Sequence, residues 1–387
     1  MTVAPRPAGR GPAGSAAGDV LDLRTLNRTL LRRQLLLDRA ALSAEQAVGH
    51  LVAMQAQAPD PPYLGLWTRL RDFALQDLSD AVLQRRVVRI ALHRNTIHLV
   101  TAADCLALRP VLQPVLERAF KTAFQPRLAG ADPAELAAFG RELVEREPLT
   151  FSALGKALAE RWPDADPTAL AQSVRQLVPL VQVPPRGVWG SSGQPAHTSA
   201  EVWLGAQLSP DAAPDDMVLR YLAAFGPASV RDAQVWCGLT RLNEVVRRQG
   251  DRLRRYRDEN GVELLDLADA ELAGPDADAP VRLLPEFDNI LLSHQDRSRV
   301  LPEAYKSLVF TINGLIKSTV LVDGFVAGRW RIERGKKDGV KEALLLVEPF
   351  ARMSKPVRAQ VAAEATRLLE VAAADADTRD VRFAAPL

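Results

Sequence analysis

Two glutamines, Gln55 and Gln57, are the residues of this chain whose type and spacing first suggest chemistry. A side-chain amide donates hydrogen bonds through its nitrogen and accepts them through its oxygen, so two amides together can hold a water molecule or a polar ligand. No cysteine, glycine-rich loop or pair of acidic residues stands beside them. From the pattern alone, the plainer interpretation is that both side chains cap a helix end or face solvent. The alternative interpretation is that they serve a reaction in a cleft.

A helix precedes the glutamines, and its start is clear in the sequence. Ser43 and Gln46 form the Ser-x-x-Gln pattern of a capping box, and apolar residues then recur at helical spacing. Three prolines between positions 59 and 62 prevent the helix from continuing. The sequence therefore predicts that both glutamines lie where a helix stops and the backbone opens.

A β-hairpin is predicted shortly downstream of the glutamines. Residues 88–92 and 97–100 are apolar runs on either side of residues 93–96, which predicts a strand, a tight turn and a second strand. Helices closed by a hairpin are typical of a winged helix-turn-helix. We therefore assign residues 21–125 to a first winged helix that carries the two glutamines.

The same order of helices and hairpin is predicted again in residues 126–208. Residues 151–162 have the pattern of a helix, and either Asp166 or Thr168 starts another. Two short strands about a turn rich in Gly, Ser and Pro are expected within residues 181–203. We assign this segment to a second winged helix.

A third copy of the pattern, in residues 209–274, is the clearest. A helix is predicted at 215–225, a second is capped by Ser229, and a third is capped by Thr240. A hairpin follows around the Asn-Gly pair at 260–261, a sequence that strongly favours a two-residue turn. Three diverged copies of one pattern indicate tandem units.

The ends of the chain differ in character from these units. Residues 275–387 contain short apolar or alternating runs separated by glycine turns, which predicts a small antiparallel sheet or barrel, with a closing helix over residues 356–374. Of the two, we assign a small antiparallel β-barrel. Residues 1–20 are rich in Ala, Gly and Pro, and we expect them to form a disordered tail. The predicted fold class is α+β, with tandem winged helix-turn-helix units followed by the barrel.

Composition limits the class of protein. The 387 residues are 47% hydrophobic and 25% charged, as in a globular protein of several modules, and the formal net charge is only +2. Cys105 and Cys237 stand among apolar residues, which favours buried free thiols in a reducing cytoplasm. With five scattered histidines, they predict no metal site. No apolar run approaches the ~18 residues that span a bilayer.

Basic residues are segregated, which matters more than the net charge. Residues 241–257 carry seven arginines against two acids, and residues 329–341 carry six basic residues against two acids. Either stretch could be an ordinary solvated face with salt bridges. Beside a helix-turn-helix pattern, however, such segregation favours a groove that binds DNA phosphates. The candidate DNA-binding residues are Arg247, Arg248, Arg254, Arg255, Arg331, Arg334, Lys336 and Lys337.

Four motifs stand out together: Gln-Ala-Gln at 55–57, His-Arg-Asn-Thr-Ile-His-Leu-Val at 93–100, Leu-Pro-Glu-Phe-Asp-Asn-Ile-Leu-Leu-Ser at 284–293 and Asp-Arg-Ser-Arg-Val-Leu at 296–301. In this order and spacing they resemble the motifs of the AlkZ/YcaQ-like winged-helix DNA glycosylase family. The resemblance covers about residues 23–350. The family's catalytic motif is Gln-x-Gln in the AlkZ-like branch and Gln-x-Asp in the YcaQ-like branch, so this chain is similar to the AlkZ-like branch.

One position departs from the family pattern. Where the family commonly has Arg-Gly-Thr in the first hairpin, this chain has Arg94-Asn95-Thr96. Asparagine tolerates the same positive φ as glycine better than most residues do. We therefore treat this departure as minor.

The resemblance implies a monofunctional DNA glycosylase that acts on cationic N7-alkylguanine in double-stranded DNA. Bulky adducts are implied, and interstrand crosslinks are a further candidate. The biological role would be base excision repair or self-resistance to a genotoxic natural product. A monomer in the cytoplasm, associated with the nucleoid and needing no cofactor, metal or membrane, is expected.

The chemistry fits two neutral amides. A guanine alkylated at N7 is cationic and leaves readily, so the enzyme needs only to stabilise the sugar cation and hold a water. We expect Gln55 and Gln57 to position this water, and Thr96 and His98 to line or support the same cleft. No activated lysine stands beside the motif, which favours a hydrolase over a lyase.

Two other functions fit the same pattern. A transcription regulator would bind one operator through recognition-helix contacts to bases, without releasing any base. A non-catalytic lesion-binding protein would bind the adduct and not turn it over. Release of a free base distinguishes the glycosylase from both.

Overall fold

A computed structural model of the protein describes residues 19–387. The first part of the chain contains, in order, β1 (Val20–Leu21), α1 (Leu23–Arg33), α2 (Ala44–His50), β2 (Met54–Gln55), α3 (Pro61–Arg69), α4 (Leu75–Leu83), β3 (Val87–Ala91), β4 (Ile97–Thr101), α5 (Ala102–Val111) and α6 (Gln113–Ala119). The middle part contains α7 (Pro133–Arg146), β5 (Leu149–Thr150), α8 (Phe151–Arg161), α9 (Pro167–Leu177), β6 (Leu180–Gln182), β7 (Ala196–Ser199), α10 (Ala200–Leu204), α11 (Asp215–Phe225), α12 (Val230–Cys237), α13 (Leu242–Gln249), β8 (Leu253–Asp258) and β9 (Glu263–Leu267). The last part contains β10 (Arg282–Leu284), α14 (Lys306–Val309), β11 (Thr319–Val322), β12 (Phe325–Lys337), β13 (Val340–Pro349), α15 (Lys355–Ala372) and β14 (Thr378–Phe383).

The helix before the glutamines begins as the sequence predicts. The Ser43 side chain accepts a hydrogen bond from the backbone N–H of Gln46, and the Gln46 side chain accepts one from the N–H of Ser43. This capping box satisfies two donors that would otherwise lack partners at the helix start. Helix α3 then begins at Pro61, where the missing N–H of proline costs nothing.

Strands of the first two predicted units share one six-stranded sheet. Its strand order is β2-β4-β3-β6-β7-β5. Strands β3 and β4 form the predicted first hairpin, and β3 pairs antiparallel with β6, so that Arg89 lies opposite Gln182. Strand β2, which contains Gln55, is the edge strand beside β4. The glutamine motif is therefore held by a sheet edge and not by an open loop.

The third predicted unit follows the predicted order, with one correction. Helix α11 and the hairpin of β8 and β9 are confirmed, as is the cap at Ser229. The cap at Thr240 is wrong, because Arg241 precedes α13 and its side chain makes no capping bond. Instead, the side-chain oxygen of Gln234 accepts the N–H of Leu242. The first turn of α13 is thus satisfied from α12 and not from its own sequence.

The C-terminal strands form an open sheet, so the predicted barrel is wrong. The strand order is β10-β11-β12-β13-β14, and the two outer strands are not paired with each other. Strand β14 was not predicted, and it pairs in parallel with β13. Helix α15 contacts β10, β13 and β14 and buries Val361, Ala365 and Leu368. The amphipathic helix α15 thus protects the open sheet, as closure into a barrel would have done.

The structure is a mixed α+β fold, as predicted. In the second unit, α8 is confirmed, and Asp166 caps α9 by accepting from the N–H groups of Thr168 and Ala169. Assignment of the three units as winged helices, and the boundaries between them, remain predictions. Residues 1–18 of the predicted disordered tail lie outside the described residues. Val20, at the end of that predicted tail, belongs to β1 and pairs with Arg257.

A buried ion pair fixes α3 against the loop that follows β10. The Arg69 guanidinium donates two hydrogen bonds of 2.8 Å to the Asp288 carboxylate, and both side chains are almost fully buried. Bidentate geometry of this kind is specific in orientation as well as charge. The pair therefore sets how the Leu284–Ser293 motif meets the segment that carries the glutamines.

The described residues contain neither a membrane-spanning helix nor a cluster of metal-ligating side chains. Within residues 19–387, no helix is long and apolar enough to cross a membrane. In the same range, no three metal-ligating side chains come together in a group that could hold an ion.

Candidate functional site

Gln55 is held from three directions. Its backbone N–H donates to the side-chain oxygen of Asn289 at 3.1 Å, and the Asn289 amide nitrogen donates to the carbonyl of Ala53. Its side-chain oxygen accepts a hydrogen bond of 2.8 Å from the Arg94 guanidinium. Across the strand pair it faces His98. Only 8% of Gln55 is exposed, so both its backbone and its amide are fixed.

Gln57 continues along the same edge but is exposed. Its side-chain oxygen accepts the backbone N–H of Ile97 at 3.3 Å. Between the glutamines, the Ala56 N–H donates to the Ile97 carbonyl, and the Ala56 carbonyl accepts from Arg89 at 2.6 Å. Each glutamine oxygen thus has one partner and one free lone pair, and among the described residues neither amide nitrogen has a partner.

Arg94 belongs to the candidate site, although the sequence indicated it only as part of the first-hairpin motif. It lies in the turn between β3 and β4 with φ of 55°, in the left-handed region. Besides Gln55, its guanidinium donates to the carbonyl of Trp236 in α12. Burial lowers the pKa of Arg94 to about 10, which leaves it cationic at neutral pH. The next residue, Asn95, has φ of 59°, in agreement with the expectation that asparagine tolerates this turn.

His98 and Thr96 lie beside Gln55 on β4 and on the turn before it. The Nδ1 atom of His98 lies 3.0 Å from the Thr96 carbonyl, and the Thr96 hydroxyl donates to the His93 carbonyl. Burial, and secondarily the Arg94 charge, lower the pKa of His98 to about 3. His98 is therefore neutral at neutral pH, and its ring packs edge-on against His93 at 5.1 Å. Both residues support the strand from within.

A cleft of about 350 Å³ opens directly after the glutamine motif. Its lining comes from the start of α3, from Trp189, from the loop after β10 and from β12. The charged and aromatic lining residues are Asp60, Trp189, Glu286, Trp330, Arg331 and Arg334. The space next to Gln55 itself is only about 10 Å³ and is closely packed. A bound ligand of nucleobase size therefore fits the larger cleft and not the smaller one.

Two of the predicted DNA-binding residues reach this cleft. Arg331 and Arg334 line it from β12. Arg331 forms salt bridges with Glu333 and Glu348, and Arg334 forms one with Asp375. Further along the same hairpin, Lys336 and Lys337 are exposed, with no side-chain hydrogen bond or salt bridge to any residue that the structure describes.

The other four predicted DNA-binding residues lie on the third unit and do not line the cleft. Arg247 and Arg248 are exposed on α13, and Arg248 pairs with Asp215 at 2.6 Å. Arg254 and Arg255 are exposed on β8. Arg254 pairs with Asp19 at 2.9 Å, and Arg255 pairs with Glu263 at 2.7 Å. The third unit nevertheless contacts the glutamine motif, through the bond from Arg94 to Trp236.

The sequence did not indicate the acidic and aromatic walls of the cleft. Asp60 stands apart from other acids in the sequence, and Glu286 precedes Asp288 by two residues, but Asp288 is used in the buried ion pair with Arg69. The only signal was that Glu286 falls within the Leu284–Ser293 motif. The same motif supplies Asn289, which contacts Gln55, and Asp288, which pairs with Arg69 of α3. The motif therefore also has a structural role.

The chain is similar to known proteins in both sequence and fold. A family model described as "DNA glycosylase AlkZ-like" matches residues 48–371. A protein of Streptomyces sahachiroi described as "Interstrand DNA cross-link repair glycosylase" is 26% identical over 352 residues, which cover 85% of this chain and 91% of that protein. The solved structure of "Streptomyces sahachiroi DNA glycosylase AlkZ" superposes with a TM-score of 0.77 at 22% identity, covering 94% of this chain and 100% of that one. The structural match establishes the shared fold, and the family match extends over most of the chain. The protein is a DNA glycosylase and belongs to the AlkZ-like DNA glycosylase family.

Proposed function

We propose that this glycosylase hydrolyses the N-glycosidic bond of cationic N7-alkylguanine in double-stranded DNA, with Gln55 and Gln57 holding the attacking water. The observation that carries the proposal is the bond from the buried Arg94 guanidinium to the Gln55 amide oxygen at 2.8 Å. It fixes an uncharged side chain in one orientation, and Ala58, three residues further along the chain, lines a cleft large enough for a base. Arg94 acts as a positioning residue, since its partner is Gln55 and not the substrate.

The reaction needs no strong base at this site. The water oxygen bonds to C1′ of the sugar, and the bond from C1′ to N9 breaks with its electron pair moving into the purine. This pair neutralises the cationic ring, so neutral alkylguanine leaves and one proton passes to solvent. Because the leaving group is already activated, positioning and preorganised dipoles suffice, and removal of one such group typically costs roughly 3 kcal/mol.

The amide geometry supports this role. The free lone pair on each glutamine oxygen can accept a hydrogen bond from the water, and the free amide nitrogens can donate to the water oxygen or to a phosphate. His98 is neutral and buried, so it acts as a structural support and not as a general acid. No lysine lines the cleft within the described part of the chain, which supports hydrolysis without a Schiff-base intermediate.

The exposed basic residues of the third unit and of the hairpin at 329–341 would bind the DNA backbone on either side of the motif. Lys336 and Lys337 have free charges for phosphate, whereas Arg248, Arg254 and Arg255 would exchange carboxylate partners for phosphate. Tandem winged helices at 21–125, 126–208 and 209–274 and a monomeric protein are part of the same proposal. Binding of this kind is strongly salt-dependent.

Crosslinked DNA is an extension of the substrate. The relative from Streptomyces sahachiroi is described as acting in interstrand cross-link repair. A crosslink joined through N7 of guanine contains the same cationic glycosidic bond as a simple adduct. We therefore extend the proposal to such crosslinks, with a role in base excision repair or in self-resistance to an alkylating natural product.

The test is release of free N7-methylguanine from methylated duplex DNA. We expect release by the wild type and no release by the Gln55→Ala, Gln57→Ala double variant, with duplex binding largely retained. A matched control replaces two exposed glutamines elsewhere, Gln207→Ala and Gln360→Ala, and should keep full activity. A fully active Gln55, Gln57 variant would exclude the motif as catalyst. A wild type that releases no N7-alkylguanine would exclude the substrate.

A further inference from the structure

Of the charged side chains that line the cleft after the glutamine motif, the basic ones have salt-bridge partners and the acidic ones have none within the described residues. Its two arginines, Arg331 and Arg334, form salt bridges with carboxylates on the same sheet or at the end of α15. Its two acids, Asp60 and Glu286, have no salt bridge or side-chain hydrogen bond within residues 19–387. Asp60 stands at the start of α3 and does not cap it. The cleft thus offers two carboxylates whose charge is free for a ligand.

Asp60 and Glu286 are exposed residues, so a ligand in the cleft can reach both carboxylates. Neighbouring protein still raises the pKa of Asp60, against the opposing effect of Arg186, Arg334 and Arg89, and it raises the pKa of Glu286. A cation that enters the cleft would favour the charged form of both groups, because an opposite charge nearby stabilises a carboxylate.

Aromatic side chains supply the other walls. Trp189 packs against Tyr63 with ring centroids 5.2 Å apart, and Tyr63 is anchored by its hydroxyl to the Gly187 carbonyl. Trp330 is buried, and its indole nitrogen donates to the Leu284 carbonyl at 2.9 Å. Both rings are therefore fixed in place. Trp330 is only 5% exposed and offers little open surface, whereas Trp189 is half-buried and offers a surface on which a planar heterocycle can stack, because bases stack on aromatic side chains.

We propose that this cleft receives the cationic purine of the damaged nucleotide, and that the Asp60 and Glu286 carboxylates select its positive charge. The inference rests on the proposed function and adds a specificity site to it. Glycosylases act on bases turned out of the helix, and a cleft of about 350 Å³ lies within the size range of ligand sites. Asp60 follows Gln57 by three residues, so their Cα atoms lie within about 11 Å of each other.

The sign of the charge distinguishes this ligand from the DNA backbone. Two free carboxylates would repel phosphate, and Arg331 and Arg334, which also line the cleft, are already paired with acids. The DNA backbone is therefore not the ligand that we expect inside the cleft. Normal guanine is neutral and gains nothing from them. A purine alkylated at N7 is both planar and cationic, and it matches the aromatic walls and the acids together.

The experiment measures binding to a base that stays attached. One duplex carries a single 2′-fluoro-N7-methylguanosine, whose base is cationic and whose glycosidic bond is stabilised by the fluorine. The reference duplex carries 2′-fluoro-7-deaza-7-methylguanosine, which has the same shape and no charge. The ratio of the two Kd values reports selection of charge without turnover.

We expect the wild type to prefer the cationic duplex by about tenfold, the factor that ~1.4 kcal/mol produces. Asp60→Asn with Glu286→Gln should lower the ratio to near one while leaving the Kd for the neutral duplex unchanged. The control variant removes two exposed acids elsewhere, Glu160→Gln and Asp164→Asn, with the same change in net charge. It should keep the wild-type ratio.

Three outcomes are separable. An unchanged ratio in the Asp60, Glu286 variant, or an equal loss in the control variant, overturns the assignment of the cleft. A wild type that prefers the cationic duplex yet releases no base from the hydrolysable one supports the cleft and overturns the proposed function. Release of base by the wild type with no preference between the two duplexes supports the function and overturns the cleft.

Discussion

The guanidinium of Arg94 donates a hydrogen bond to the side-chain oxygen of Gln55 at 2.8 Å, from a turn in the left-handed region of backbone space. The same guanidinium donates to the Trp236 carbonyl in α12. One buried cation thus ties an edge strand of the first unit to a helix of the third. This bond gives the first prediction.

Replacing Arg94 with lysine should lower kcat about 100-fold with little change in KM, because losing one preorganised interaction of a catalytic group costs this order of magnitude. Lysine keeps the charge but lacks the planar fork that reaches two acceptors at once. The measurement is steady-state release of N7-methylguanine, with thermal unfolding run alongside. Asn95→Ala is the matched control, since Asn95 shares the left-handed turn and does not contact Gln55. An equal loss of kcat in both variants would assign the effect to the turn.

Breaking the buried ion pair at Asp288 should destabilise the fold strongly. Asp288→Asn leaves the buried Arg69 charge without its carboxylate, which typically costs about 3–5 kcal/mol of unfolding free energy. Urea unfolding measures this loss. The exposed pair of Arg146 and Glu142 is the comparison, because Glu142→Gln at the surface should cost under ~1 kcal/mol. Similar losses in the two variants would contradict the structural role of the buried pair.

Removing the Asn289 side chain should loosen the strand that carries Gln55. Asn289→Ala leaves the Gln55 N–H and the Ala53 carbonyl without partners. Each buried polar group that is left unsatisfied typically costs about 1–3 kcal/mol of unfolding free energy. Amide hydrogen exchange of Gln55 should then accelerate, and the free energy of unfolding should fall. Unchanged exchange at Gln55 would show that strand pairing with β4 alone holds the motif.

Stability should fall on acidification because of His98. Its pKa is lowered to about 3 in the folded protein, whereas the unfolded chain titrates near ~6.5. The unfolded state therefore binds the proton first, so this contribution is complete above ~6.5 and is lost as the pH falls towards ~3, at about 1.4 kcal/mol per pH unit. Urea unfolding of wild type and His98→Gln at pH 7.5 and 5.5 measures it. The variant should lose about 1.4 kcal/mol less than the wild type, and an equal loss would contradict burial of a neutral His98.

The free lysines of the hairpin should control the salt dependence of DNA binding. Lys336→Gln with Lys337→Gln should reduce the slope of log K against log salt by about 1.8, since each phosphate contact contributes roughly 0.9. Duplex binding at several salt concentrations gives the slope. Lys156→Gln, an exposed lysine on α8, is the control and should leave the slope unchanged. A slope unaffected by the hairpin variant would remove this hairpin from the DNA contact.

Local features were predictable because neighbouring residues decide them. The capping box of Ser43 and Gln46, the boundaries of α11 and the hairpin at Asn260-Gly261 follow from short-range geometry that the sequence carries. The cap at Thr240 failed for the opposite reason. Its place is taken by Gln234, which lies on the preceding helix and approaches α13 only after the two pack.

What the sequence by itself determined is the family, the α+β class and a capped helix that precedes the pair of glutamines. Only the tertiary structure decided that Gln55 is held by Arg94 and Asn289, that the first two units share a sheet, and that the C-terminal sheet stays open. It alone brought Asp60 and Glu286 into one cleft, although they stand more than two hundred residues apart in the chain. Periodicity and capping record only contacts within a few residues. Contacts between distant segments depend on how whole elements pack, and no local pattern encodes that packing.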